Sequence, residues 1–278
     1  MGLSFNVTLA VLAAALMHAA WNAIVKSGGD KLLDTTAMAA GAGVIAALCL
    51  PFLPLPHRAS WPWLAASVVL HAGYFWALIS AYRHGDLSTV YPLMRGLAPL
   101  LTTAAAYVLI GEAPGRYGVA GIALISAGIL LPVALGRHGN RRAQAYAMAN
   151  AVVIMAYSVT DGLGARASGN AASYVLWIFF LNAFPLTALA LLRRGPARVG
   201  AALLQWRPAV VGAALTIGSY GIVLWAMTVA PVAAVAALRE TSVIFAALIG
   251  AWLLKEPFGP PRIAGAVLVA AGVLLLRV

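Results

Sequence analysis

From residue 6 to residue 278 the sequence is a succession of apolar runs, each near the ~20 residues an α-helix needs to cross ~30 Å of hydrocarbon. Ten windows can be drawn, at 6–25, 35–53, 61–82, 87–110, 117–135, 143–163, 171–192, 208–230, 232–254 and 262–278. The links are short, such as RHGD at 83–86 and GEAPGR at 111–116. The longest, RRGPARVGAALLQWR at 193–207, has room for an interfacial helical turn but not for a soluble domain. Composition agrees: the chain is 63% hydrophobic and 9% charged, where a soluble domain is roughly a quarter charged. The expected fold is therefore all-α and integral to a membrane, with ten transmembrane helices.

Charge supports that solvent. The formal charge of +11 is scattered singly through short links without a long basic run, which fits membrane orientation and gives no footprint for nucleic acid. Links after odd-numbered windows, with Arg262, carry 12 Lys and Arg; the even-numbered links and both termini carry 4. The positive-inside rule then places both termini in the periplasm of a bacterial-type inner membrane. No Lys or Arg precedes the first run and no clean small-residue cleavage site ends it, so it is expected to stay as the first span. The single cysteine, Cys49, allows no intramolecular disulfide and is expected to pack in its apolar run.

The two halves repeat each other. A shift of 144 residues lays 88–131 over 232–275 without gaps, pairing Arg95 with Arg239, Glu112 with Glu256, Gly121 with Gly265 and Gly128 with Gly272. Five windows per repeat, 1–139 and 140–278, force opposite membrane topologies, the inverted-repeat architecture of alternating-access carriers with a substrate site near the midplane. Each half ends in an apolar helix, a glutamate (LIGE at 109–112, LLKE at 253–256) and a Gly-rich last helix, YGVAGIALISAGILL or RIAGAVLVAAGVLLL. In this the whole chain resembles the EamA branch of the drug/metabolite transporter superfamily. The resemblance implies a basket of helices round a central cavity, with the last helix of each half peripheral. Members similar to this one, YddG-type exporters among them, export amino acids; others move drugs, nucleotide sugars or other metabolites.

Ionisable groups deep in a span cost about 2.5–3.5 kcal/mol to insert and normally face a cavity or a partner. Arg95 and Arg239 lie at similar depth in repeat-related windows. A guanidinium fork matches two carboxylate oxygens, so the pair invites a carboxylate ligand. A structural ion pair or carbonyl clamp is the other reading, and Glu240, next to Arg239, is placed to join a salt-bridge network. Pro92 and Pro99 deny amide partners to the carbonyls of Ser88 and Arg95, with Gly96 between them. This predicts a kink or opening of window 4 at midplane depth, for packing or facing substrate. Window 9 has no proline, so the halves are not equivalent there.

His71, Tyr74, Leu78 and Tyr82 share one helical face, and Tyr91 falls one turn before Arg95. Such a face suits an ammonium, an apolar side chain or another helix. His18 with Asn22, and Tyr157 with Asp161, are pairs four apart; with Trp21 they complete the candidate substrate-lining set. Asp161 and Glu240 are the candidate proton carriers, since low dielectric favours a protonated carboxyl; the competing and stronger expectation puts Asp161 at a helix end in water. His18 titrates in a useful range but is more commonly structural. Trp61, Trp63 and Trp206 near span ends are expected as interfacial anchors.

No CxxC, HExxH, GxxxxGKS/T or strand-preceded GxGxxG occurs, so neither metal nor cofactor is expected. An intramembrane enzyme, with Ser88 as nucleophile, lacks any base the sequence can place. The expected function is secondary-active export of small zwitterionic metabolites, amino acids first. Export of cationic drugs, which would want Glu240 or Asp161 exposed rather than Arg95, is the alternative.

Overall fold

Polar caps and first-turn prolines start many of the helices. Ser4, Asp30, Asn140 and Asn170 accept backbone N–H groups at helix starts, and Pro62, Pro196 and Pro260 occupy first turns where a missing N–H costs nothing. The computed structural model describes residues 2–85, 87–136, 140–253 and 259–278. Its helices are α1 (Phe5–Ser27), α2 (Lys31–Cys49), α3 (Trp61–His84), α4 (Leu87–Ile110), α5 (Arg116–Ala134), α6 (Arg141–Ala167), α7 (Ala171–Arg194), α8 (Pro196–Leu204), α9 (Trp206–Val229), α10 (Val232–Arg239), α11 (Ser242–Leu253) and α12 (Pro260–Leu275). Gly195, at φ +79°, closes α7 and turns the chain directly into α8, the helical piece expected in the longest link. Glu256 lies outside the described residues, as does the side chain of Ser88.

All ten windows hold helix, and eight segments among the described residues are long and apolar enough to cross a membrane. α6, with 27 residues, is long enough but not apolar enough, and α12 is apolar but has only 16 residues. The surface is what lipid requires: Phe52, Leu192 and Trp252 stand outward, while Arg95, Asp161, Arg239 and Glu240 are buried. Cys49, expected to pack, is exposed at the end of α2. An apolar run does not distinguish helix contact from lipid contact, because lipid tails are as apolar as a core.

α5 and α12 pack through glycines. A Cβ on Gly121 would meet the Gly272 carbonyl, and one on Gly128 the Gly265 carbonyl. Numbers rise along α5 as they fall along α12, so the pair is antiparallel, and the contacts are reciprocal between repeat-related residues. That is how a two-fold relation between the halves appears at a helix crossing.

α4 runs unbroken through Pro92, Gly96 and Pro99, so the opening expected there is absent. Packing against α5 and α6 keeps it helical; Leu130 and Ile129 of α5 sit against Gly96. The break falls in the other half, at Glu240–Thr241 between α10 and α11, where no proline marks it. The N–H groups of Glu240 and Thr241 bond the carbonyls of Ala237 and Leu238, three residues back, and the Thr241 hydroxyl donates to Leu238 at 2.8 Å. This tightened turn, with a hydroxyl competing for a backbone carbonyl, ends the helix at the centre of the molecule.

Candidate functional site

α4 and α10 run antiparallel, the end of α4 meeting the start of α10 through Glu112 and Val232. Their repeat-related arginines therefore approach the centre from opposite faces. They meet at Glu240: Arg95 Nε lies 2.6 Å from Oε2, and Arg239 Nη2 donates to Oε1 at 3.3 Å. The counterpart of Glu240 in the first repeat is Gly96, so a symmetric pair of cations shares a single acid. Arg95, Arg239 and Glu240 are 2%, 3% and 1% exposed, which closes the site to solvent. The Arg95–Glu240 contact is close but off-axis. Arg95 Nε and Nη2, Arg239 Nε and Glu240 Oε2 are all buried without an aligned hydrogen bond.

Aromatic rings wall this cluster. Arg95 lies over Tyr91 and Arg239 over Tyr157, each 5.8 Å from the ring centroid, and Arg239 Nη2 donates to the Tyr157 hydroxyl at 3.4 Å. His71 of α3 stacks on Tyr157 at 4.7 Å, and Tyr74 meets Tyr157 edge-on at 6.0 Å. His71 Nδ1 is held 2.9 Å from the Ser67 carbonyl. Beyond this layer the Tyr220 hydroxyl of α9 donates to Asp161 Oδ2. Asp161 is 0% exposed, so the expectation of a helix end in water is corrected: α6 continues past it to Ala167 and packs on neighbours there.

The remaining candidates are less central. His18 meets Trp21 edge-on at 5.1 Å, and Asn22 Nδ2 donates to the His18 carbonyl at 2.7 Å. Leu78 packs with the α4 and α6 side chains. Tyr82, 37% exposed, opens to the surface although it shares a helical face with Tyr74.

The EamA-like transporter family matches this sequence over residues 6–134 and 143–278. The chain belongs to the EamA-like transporter family. The two matched segments correspond to α1–α5 and α6–α12, and the protein is a multi-pass membrane transporter. Among curated proteins none matches the chain in sequence. A solved structure described only as "Crystal structure of protein" is similar with a TM-score of 0.74 at 20% identity, covering 97% of each chain, which shows a shared fold.

In this EamA-like transporter two features escaped sequence reasoning. Tyr220, which places a hydroxyl on Asp161, sits in the run Gly218–Ser219–Tyr220–Gly221, a polar interruption of its span and a signal that was available. The second is a clasp at the helix ends: Arg166 Nη1 lies 2.6 Å from Glu112 Oε1, while Glu112 Oε2 accepts the Val232 N–H at 2.8 Å. Arg166 also donates to the carbonyls of Met227 (2.7 Å) and Ala230 (3.0 Å). In the sequence Glu112 marks the repeat and Arg166 falls in the link after the sixth window; no local pattern joins them.

Proposed function

We propose that this transporter exports small zwitterionic metabolites, amino acids first, by alternating access. The observation that carries the reading is the pair of buried arginines that share one glutamate and keep unpartnered donors. Buried charged donors are costly unless bonded, and a ligand carboxylate offers the two oxygens that suit the Nε–Nη2 fork of Arg95. Tyr91, Tyr157, Tyr74 and His71 supply ring faces for the ligand's ammonium or apolar side chain. In this reading Arg95 and Arg239 receive the carboxylate, His18, Trp21 and Tyr82 are peripheral contacts, and Glu240 and Asp161 carry protons.

Ten membrane-spanning helices in two inverted repeats, divided near residue 139, would open the centre to one face at a time, with the Glu240–Thr241 break as a bending point and Pro92, Gly96 and Pro99 shaping the facing helix. Both termini are assigned to the periplasm of a bacterial-type inner membrane. Cationic drugs are the competing cargo, but they would want Glu240 or Asp161 exposed, and both are buried.

Counterflow in proteoliposomes tests the reading. Arg95→Gln should weaken exchange of amino acids far more than of their amides or esters, and Arg95→Lys should rescue only partly because it lacks the fork. Equal losses for carboxylate and amide ligands, or counterflow of cationic dyes in place of amino acids, would overturn it.

A further inference from the structure

Resting on the carboxylate-receptor reading, we infer that Glu240 is a built-in competitor for the substrate carboxylate, so that substrate and a proton enter and leave the centre together. The fork of Arg95 that a two-pronged carboxylate would use is Nε with Nη2. Glu240 Oε2 lies against that Nε at 2.6 Å, off-axis, and Nη2 is left bare. A ligand carboxylate cannot take both prongs while Glu240 Oε2 remains there. Among the described residues, the remaining hold on the Glu240 carboxylate is the 3.3 Å bond from Arg239.

The groups around Glu240 set the direction of the linkage. They are Arg95 and Tyr91 from α4, Arg239 beside it, Tyr157 from α6, Tyr74 and His71 from α3, and His18 from α1, which lies within electrostatic reach of both arginines. Asp161 lies beyond the His71 and Tyr220 rings. Two carboxylates competing for one fork in a buried site disfavour double ionisation, and the displaced one is the group that gains a proton. The proton is given up by the acid form of the surrounding buffer, relayed through water admitted with the substrate, and bonds a Glu240 carboxyl oxygen, while the buffer's conjugate base stays in solution. Empty or loaded, two guanidinium charges then face one carboxylate charge, and the substrate's ammonium adds one positive charge to the loaded centre. This sign is opposite to proton-driven antiport. Efflux follows the substrate's own gradient, and an acidic exterior retards it.

Calorimetric binding of L-leucine and L-leucinamide to the full chain in detergent, from about pH 5 to 7 where the α-amino group stays charged, reads this directly. Wild type should bind leucine more weakly as pH rises, by up to tenfold per unit, with proton uptake revealed by buffers of different ionisation heat; leucinamide should show neither. Glu240→Gln should bind leucine more tightly, without pH dependence or proton uptake. Leucine preferred over leucinamide with no proton uptake overturns the competition and leaves the carboxylate reading standing. Leucine and leucinamide bound equally, or neither bound, overturns both. Should Glu240→Gln fail to fold, the wild-type slope and buffer heats decide alone, and slower leucine efflux from proteoliposomes on external acidification checks the sign.

Discussion

At the centre, Arg95 and Glu240 approach to 2.6 Å with side chains 3% and 1% exposed; at the helix ends, Arg166 and Glu112 approach to the same 2.6 Å at 31% and 20%. The outer pair is well bonded. Arg166 serves the last carbonyls of α9, Glu112 serves the first N–H of α10, and each charge sits at the helix end whose dipole favours it. The central pair is buried far more deeply yet leaves donors and an acceptor oxygen without aligned bonds. Equal distance thus conceals different roles. The outer clasp ties the ends of α4, α6, α9 and α10 with charges that complete one another, whereas the central cluster sets two guanidinium groups on one carboxylate.

The largest effect should come from removing the shared acid. Glu240→Leu strands two buried guanidinium groups and should cost about 3–5 kcal/mol, read as a loss of folded protein in detergent melts. An Arg95→Glu, Glu240→Arg exchange should recover folding without transport, since the fork would move to the wrong helix. If the exchange restores transport, the centre is a structural pair like the outer one and the comparison collapses.

A smaller effect is expected at the clasp. Glu112→Gln or Arg166→Gln should each cost about 1–2 kcal/mol, because charged hydrogen bonds are lost in a partly screened site. Carboxylate-over-amide selectivity should stay as in wild type. Selectivity that falls along with stability would show that the two ion pairs are not separate devices.

The smallest effect belongs to a third pair, where the last residue of α7 meets the cap of α2 and Arg194 Nε donates to Asp30 Oδ2 at 2.7 Å. The Arg194 guanidinium, helped by the N–H groups of Leu33 and Leu32, holds the Asp30 carboxyl below the usual aspartate range. Because the folded state binds that proton less readily, the stabilisation is complete above the ordinary aspartate value near ~3.9 and disappears as pH falls through the lower, folded value. Asp30→Ala should cost about 1 kcal/mol at neutral pH through the lost cap. Melts repeated in acid should show the difference from wild type shrinking; a constant difference would assign the effect to something other than the ionised cap.

Helix positions, helix starts and the internal repeat were determined by the sequence alone, because each depends on residues close together or on self-similarity along the chain. Apolar length selects a membrane helix wherever it occurs, and Asp30 or Asn170 caps whatever follows it. The tertiary structure decided the rest. Pro92 and Pro99 looked like a break, but the loss of amide protons opens a helix only where neighbours do not hold it, and α5 and α6 lie against α4. The actual interruption at Glu240–Thr241 depends on a hydroxyl and a tightened turn whose consequence no local propensity reveals. Asp161 looked solvated because its position in the window implied a helix end, until α6 proved longer and Tyr220 arrived from α9. That Arg95 and Arg239 reach one glutamate, with Gly96 where a second acid would stand, follows only when α4 and α10 are set antiparallel, since charge pairing is decided by distance in space and the sequence records distance along the chain.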